Sequence, residues 1–188
     1  MATRRSGSLA RWRQQAVRRM VASRRATLAF VERLPEDAIL RPRTLDRWSV
    51  KDVLGHLLSC DEETVRRFQL IARGHGDRIR WFRGLADADR FNARTVAQTR
   101  RLGLRTVIRR MTRVRADFIK RFERLPTESL RDPSHEYPVV EWLRAPGWSH
   151  EQDHLGEVKA WWKGASARWR AASSRRRPTV SRRRRAQK

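Results

Sequence analysis

The chain has a single cysteine, Cys60, and a single tyrosine, Tyr137. One thiol cannot close an internal disulfide, so nothing in the sequence calls for an oxidising compartment. No apolar run approaches the roughly 18 residues a helix needs to cross a bilayer. Arg4-Arg5 supply the basic pair of a twin-arginine signal, but no apolar stretch follows them. The expectation is a cytoplasmic protein without a membrane span. Acid is scarce as well: 20 Asp or Glu stand against 45 Lys or Arg, a formal net charge of +25. No segment sustains a period-two alternation of apolar and polar residues, which removes the main signal for strands.

What is present is basic, apolar and unevenly arranged. Residues 1–13 hold four Arg, and residues 168–188 hold ten Lys or Arg and no acid. The stretch between them is only moderately basic. Hydrophobic residues make up 39% of the chain and tryptophan alone contributes 8 residues, enough for a core. The organisation expected is a basic disordered arm over 1–8, one helical domain over 9–172, and a disordered Arg-rich tail over 173–188. Arg175, Arg176, Arg177, Arg182, Arg183, Arg184 and Arg185 make that tail a candidate for non-specific contact with nucleic acid. It lacks interleaved aromatics, so base stacking is not suggested. A homodimer is carried as a further partner.

Apolar residues recur at three- and four-residue steps in four long segments. The first runs from Leu9 to about Leu34 and ends at Pro35. The second opens at Trp48-Ser49 and runs to about Ala72. Ser49-Val50-Lys51-Asp52 has the form of a capping box, with Trp48 placed to staple onto Val53. Gly74-His75-Gly76 stops this helix. A third helix spans about 89–125, interrupted near Leu102-Gly103-Leu104, and Pro126 ends it. A long connection over 126–147 contains a short helix near 139–143. The fourth helix runs from about Trp148 to Ala172. Four helices without strands predict an all-α four-helix bundle, with its longest connection between helices 3 and 4.

His150 and His154 lie four residues apart at the start of the fourth helix, on one helical face. His56 lies on the second. Three imidazoles can hold a divalent metal and leave positions open for water or substrate. Imidazole suits zinc, nickel or iron alike. Cys60, four residues beyond His56, Asp61, Tyr137 and Trp142 are candidates for the surrounding pocket. Cys60 is more simply a small buried apolar residue. Asp61 and Glu62 are candidates for a general base. Glu151 and Asp153 flank the histidines but point elsewhere by helical spacing. His75 and His135 fall in loops. A weak echo links Glu32–Pro42 to Glu123–Pro133: each closes a long helix and precedes a Trp-Ser pair opening a histidine-bearing helix.

Trp48-Ser49-Val50-Lys51-Asp52-Val53-Leu54-Gly55-His56-Leu57 resembles the second-helix signature of the DinB-like four-helix-bundle superfamily. Phe91-Asn92-Ala93-Arg94, the turn over 122–130, and Glu141-Trp142-Leu143 followed by His150-x-x-x-His154 resemble its DfsB-type, colibactin self-resistance-like branch. The likeness covers roughly residues 10–165. It implies an up-down-down-up bundle holding a divalent metal through His56, His150 and His154. It also implies action on a small electrophile, by hydrolysis or by transfer of a low-molecular-weight thiol. Cys60-Asp61 departs from the branch, where an aromatic precedes the acid. The competing expectation is a non-catalytic basic protein that contacts nucleic acid through its tail.

Overall fold

A computed structural model describes residues 2–42 and 48–175, all helical or connecting, with one isolated bridge between Pro42 and Ser49 and no strand among the described residues. The helices are α1 (Ala2–Val31), α2 (Glu36–Leu40), α3 (Val50–Ala72), α4 (Leu85–Arg100), α5 (Leu104–Arg124), α6 (Val139–Trp142) and α7 (His150–Arg175). Helix α1 begins at Ala2, so its backbone passes through the segment expected as an arm. Of the Arg-rich tail only the backbone to Arg175 is described; Arg176, Arg177, Arg182, Arg183, Arg184 and Arg185 lie outside the described residues.

Helix α3 starts where its capping box predicts. The Asp52 amide donates to Ser49 Oγ at 3.0 Å and the Ser49 amide to Asp52 Oδ2 at 2.9 Å. This satisfies two of the amides that every helix start leaves free. Arg100 adds a second hold on Asp52, Nε to Oδ1 at 2.9 Å. Trp48 packs against the cluster that contains Val53, and its ring also lies 5.2 Å from that of His56. Gly74 ends the helix at a φ of 74°, a conformation that favours glycine.

The third expected helix is two helices. The break falls at Gly103, the residue before α5. The long connection after α5 carries a 3₁₀ turn (Glu128–Arg131) and α6, and a π turn (Ala145–Ser149) leads into α7. The echoed segments occupy equivalent places, each giving a short helical turn after Pro35 or Pro126.

Four helices, α1, α3, α5 and α7, surround a core in two apolar clusters. One holds Met20, Phe68, Phe118, Phe122 and Trp148; the other holds Val31, Leu54, Leu58, Met111 and Val158. The order in which each helix meets them gives its direction. Helices α1 and α7 run from the first cluster to the second, and α3 and α5 run the other way. This is the up-down-down-up arrangement.

Between the clusters lies a charged layer with one residue from each helix: Arg24, Asp61, Arg115 and Glu151, all buried. Arg24 Nε donates to Glu151 Oε1 at 2.7 Å and Nη2 to Asp61 Oδ2 at 3.0 Å. Arg115 Nε donates to Asp61 Oδ2 at 3.1 Å and Nη2 to Glu151 Oε2 at 3.1 Å. Two cations and two anions cancel, as buried charge requires. The layer also secures the π turn. Arg115 Nη1 donates to the Gly147 carbonyl at 2.6 Å, and Ser23 Oγ to the Trp148 carbonyl at 3.3 Å. The wider turn thus finds partners for carbonyls just ahead of His150.

Candidate metal centre

His56 sits on α3, and His150 and His154 occupy the first two turns of α7. His150 Nε2 is 3.1 Å from His56 Nε2 and 3.0 Å from His154 Nε2. One donor nitrogen from each of the three rings falls within 4.8 Å of the other two. Zinc–nitrogen bonds of about 2.0–2.1 Å at tetrahedral angles hold nitrogens roughly 3.3 Å apart, close to these spacings.

The donor set fits a cation for a further reason. A ring nitrogen offers one proton or one lone pair, so His150 Nε2 cannot complete a good hydrogen bond with both neighbours at once. A cation shared by the three lone pairs satisfies all of them. Burial, and then His150 and His154, push the His56 imidazole down from 6.5 to about 3. Burial and His154 lower His150 too. Both rings are therefore neutral at pH 7, the state a metal ligand needs.

Two further side chains act on the rings. The Asn92 side chain, from α4, lines the cavity beside His56 and opposes the downward pull of burial on its imidazole. Glu157 Oε2 lies 3.2 Å from His154 Nδ1, so a proton held there turns the Nε2 lone pair toward the cluster.

The histidines form part of the wall of a cavity of about 640 Å³. Helices α3, α4 and α7 and the loop carrying Trp81-Phe82 enclose it. His56, Cys60, Glu63, Thr64 and Arg67 all face it from α3, following the helical repeat.

Cys60 and Trp142 line the cavity. Cys60 Sγ is 3.8 Å from His56 Nε2, but burial, and then Asp61, push its thiol up to about 12. The sulfur is a neutral thiol at pH 7, not a nucleophile. Asp61 does not line the cavity: one residue on from Cys60 the helix has turned by about 100°, which carries Asp61 into the charged layer. Tyr137 also stands outside the cavity; it is exposed and packs edge-on against Trp81 at 5.1 Å. Neither proposed base is free, because Glu62 pairs with Arg110 at 2.6 Å. Glu151 points away from the histidines and into the core, but Asp153 faces the cavity. His135 is buried away from the histidine cluster, against Gly76, where a Cβ would come within 2.1 Å of its Nε2.

The sequence reading missed Asn92 as a partner of His56, the Arg67–Glu63 pair in the cavity wall, and the whole charged layer. Asn92 had a signal, standing beside Phe91 in a stretch already noted. Arg67 had one in its spacing of eleven residues from His56. The charged layer had none, because single charged residues on four separate helices look like solvated faces.

An all-α bundle with three convergent imidazoles in the wall of a cavity defines a class of helical proteins that carry a donor set for a metal. The sequence profile of the DinB superfamily matches residues 19–158, most of the chain, and the chain belongs to that superfamily. Members of this superfamily often bind metal. No curated protein and no solved structure matched the chain.

Proposed function

We propose that this protein is a metal-dependent enzyme of the DfsB type, acting on a small electrophile by hydrolysis or by transfer of a low-molecular-weight thiol. The observation that carries the reading is the convergence of three ring nitrogens, neutral on two of the rings, in the wall of a cavity large enough for a small organic molecule. His56, His150 and His154 would hold the ion, and Asn92 and Glu157 would fix the rings. A divalent cation at that point supplies Lewis acidity, which makes a water or thiol more acidic.

The chain's own residues do the rest. Trp48, Trp81 and Trp142 supply an apolar wall that holds a substrate and excludes bulk water. Cys60, a neutral thiol in the metal-free protein, lines the same wall beside His56. Asp153 has no ion pair among the described residues and is the carboxylate placed to accept a proton. Zinc, nickel and iron all suit the donors.

The test follows chlorodinitrobenzene with cysteine or glutathione, and its hydrolysis without thiol. Rates should fall to background with a chelator and in His150→Ala. Turnover indifferent to both treatments would reject the proposal.

The ten basic and no acidic residues of 168–188 favour a second, compatible role in non-specific nucleic-acid binding. Removing residues 173–188 should abolish any such binding, which should also weaken steeply with salt.

A further inference from the structure

The cavity has a second polar feature besides the histidines. Among the described lining residues Arg67 is the sole Arg or Lys. It is 7% exposed, and its guanidinium carbon lies 4.4 Å from the Trp81 ring centroid and 5.8 Å from those of Phe82 and Trp142. Three aromatic rings thus hold the guanidinium plane in place.

Its charge is only partly answered. Arg67 Nε donates to Glu63 Oε1 at 3.1 Å. The same carboxylate is already gripped by Arg66, with Nη2 to Oε1 at 2.7 Å and Nε to Oε2 at 2.9 Å. One carboxylate therefore serves two guanidiniums. Neither Nη nitrogen of Arg67 has a hydrogen-bond partner among the described residues, and neither is sealed from solvent. Burial holds the Arg67 guanidinium below its usual value against the pull of Glu63. A buried cation with two unused donor nitrogens, set among aromatic rings in a cavity wall, is a prepared site for a planar anion.

Arg67 follows His56 by eleven positions, close to three full turns, so the two share a face of α3. Their backbones lie ~16 Å apart along the axis. Long side chains on a helix lean toward its N-terminus, which brings the guanidinium back toward the histidines. Trp81 and Trp142 lie along the wall. Glu63 and Asp153 also face the cavity, so a doubly charged phosphate meets more repulsion than a single carboxylate does.

We propose that Arg67 anchors a single carboxylate on an elongated small organic molecule, whose apolar or aromatic middle lies along Trp81 and Trp142 and whose other end reaches the histidines. This rests on the reading of the histidines as the reacting end. Arg67 thereby selects which electrophiles or thiols enter and fixes their direction.

The test is calorimetric binding of phenylbutyrate and of its neutral amide to protein stripped of metal with a chelator. Wild type should bind the acid ~10-fold or more tightly than the amide, the worth of a charge-assisted pair. In Arg67→Gln the acid should lose that advantage while the amide binds as before, and Arg67→Lys should fall between. Equal binding of acid and amide by wild type would overturn the proposal, as would undiminished acid binding by Arg67→Gln or no binding of the acid at all. If Arg67→Gln fails to fold, the acid-to-amide ratio in wild type decides alone. Because the measurement uses metal-free protein, its failure leaves the metal reading standing, and failure of the metal reading leaves this result unchanged.

Discussion

Two polar clusters lie side by side in this bundle and are built from adjacent residues. Cys60 and His150 face the cavity; Asp61 and Glu151, one position later on the same helices, face the core. The core cluster is closed: two guanidiniums and two carboxylates cancel, and spare donors reach the Gly147 and Met111 carbonyls. The cavity cluster is open: three ring nitrogens converge with too few protons to satisfy one another. The closed set holds four helices in register, and the open set offers a place to a ligand. They are also coupled, because Arg115 grips the turn that delivers His150.

The sharpest way to break the comparison is to remove one member of each set. Glu151→Leu leaves Arg24 and Arg115 short of a counter-charge in the core. It should cost about 3–5 kcal/mol in chemical denaturation. Metal should separate the sets next. Saturating zinc at about 100 times its dissociation constant should stabilise wild type by about 2.7 kcal/mol in thermal unfolding, and should do nothing for His150→Ala.

Smaller effects sharpen the contrast. Burial raises the Asp52 carboxyl, but hydrogen bonds from Arg100 and Ser49 outweigh it and hold the group below 3.8. A depressed carboxyl stabilises the fold above its unfolded value and loses that contribution as pH falls through its folded one. Asp52→Asn should therefore cost about 1 kcal/mol at neutral pH, and the cost should shrink as pH drops below 3.8. Smallest of all, His154→Ala in metal-free protein should shift stability by less than about 1 kcal/mol, because its ring is partly exposed.

The long helices and the histidines were legible because each rests on local pattern. The box at Ser49–Asp52 marks the start of α3, and the spacing from His150 to His154 puts both rings on one face. The Trp-Ser pair that opens both histidine-bearing helices, together with the DinB-like resemblance, joined His56 to them across the chain. The rest was hidden for definite physical reasons. The π turn adds a residue that no periodic pattern shows. Asp61 was misplaced because one step along a helix exchanges pocket for core. Asp153 was misplaced because a helix face bordering a cavity is wider than the face its ligands occupy. Arg24 and Arg115 stayed invisible because a buried arginine is recognised by its partners, which come from other helices.

The central claim is that the open cluster is a metal site. Elemental analysis of untagged protein, wild type beside His150→Ala, tests it most directly. About one zinc, nickel or iron per chain in wild type and none in folded His150→Ala is the result expected. Metal-free wild type after reconstitution, or equal metal in both proteins, would contradict it.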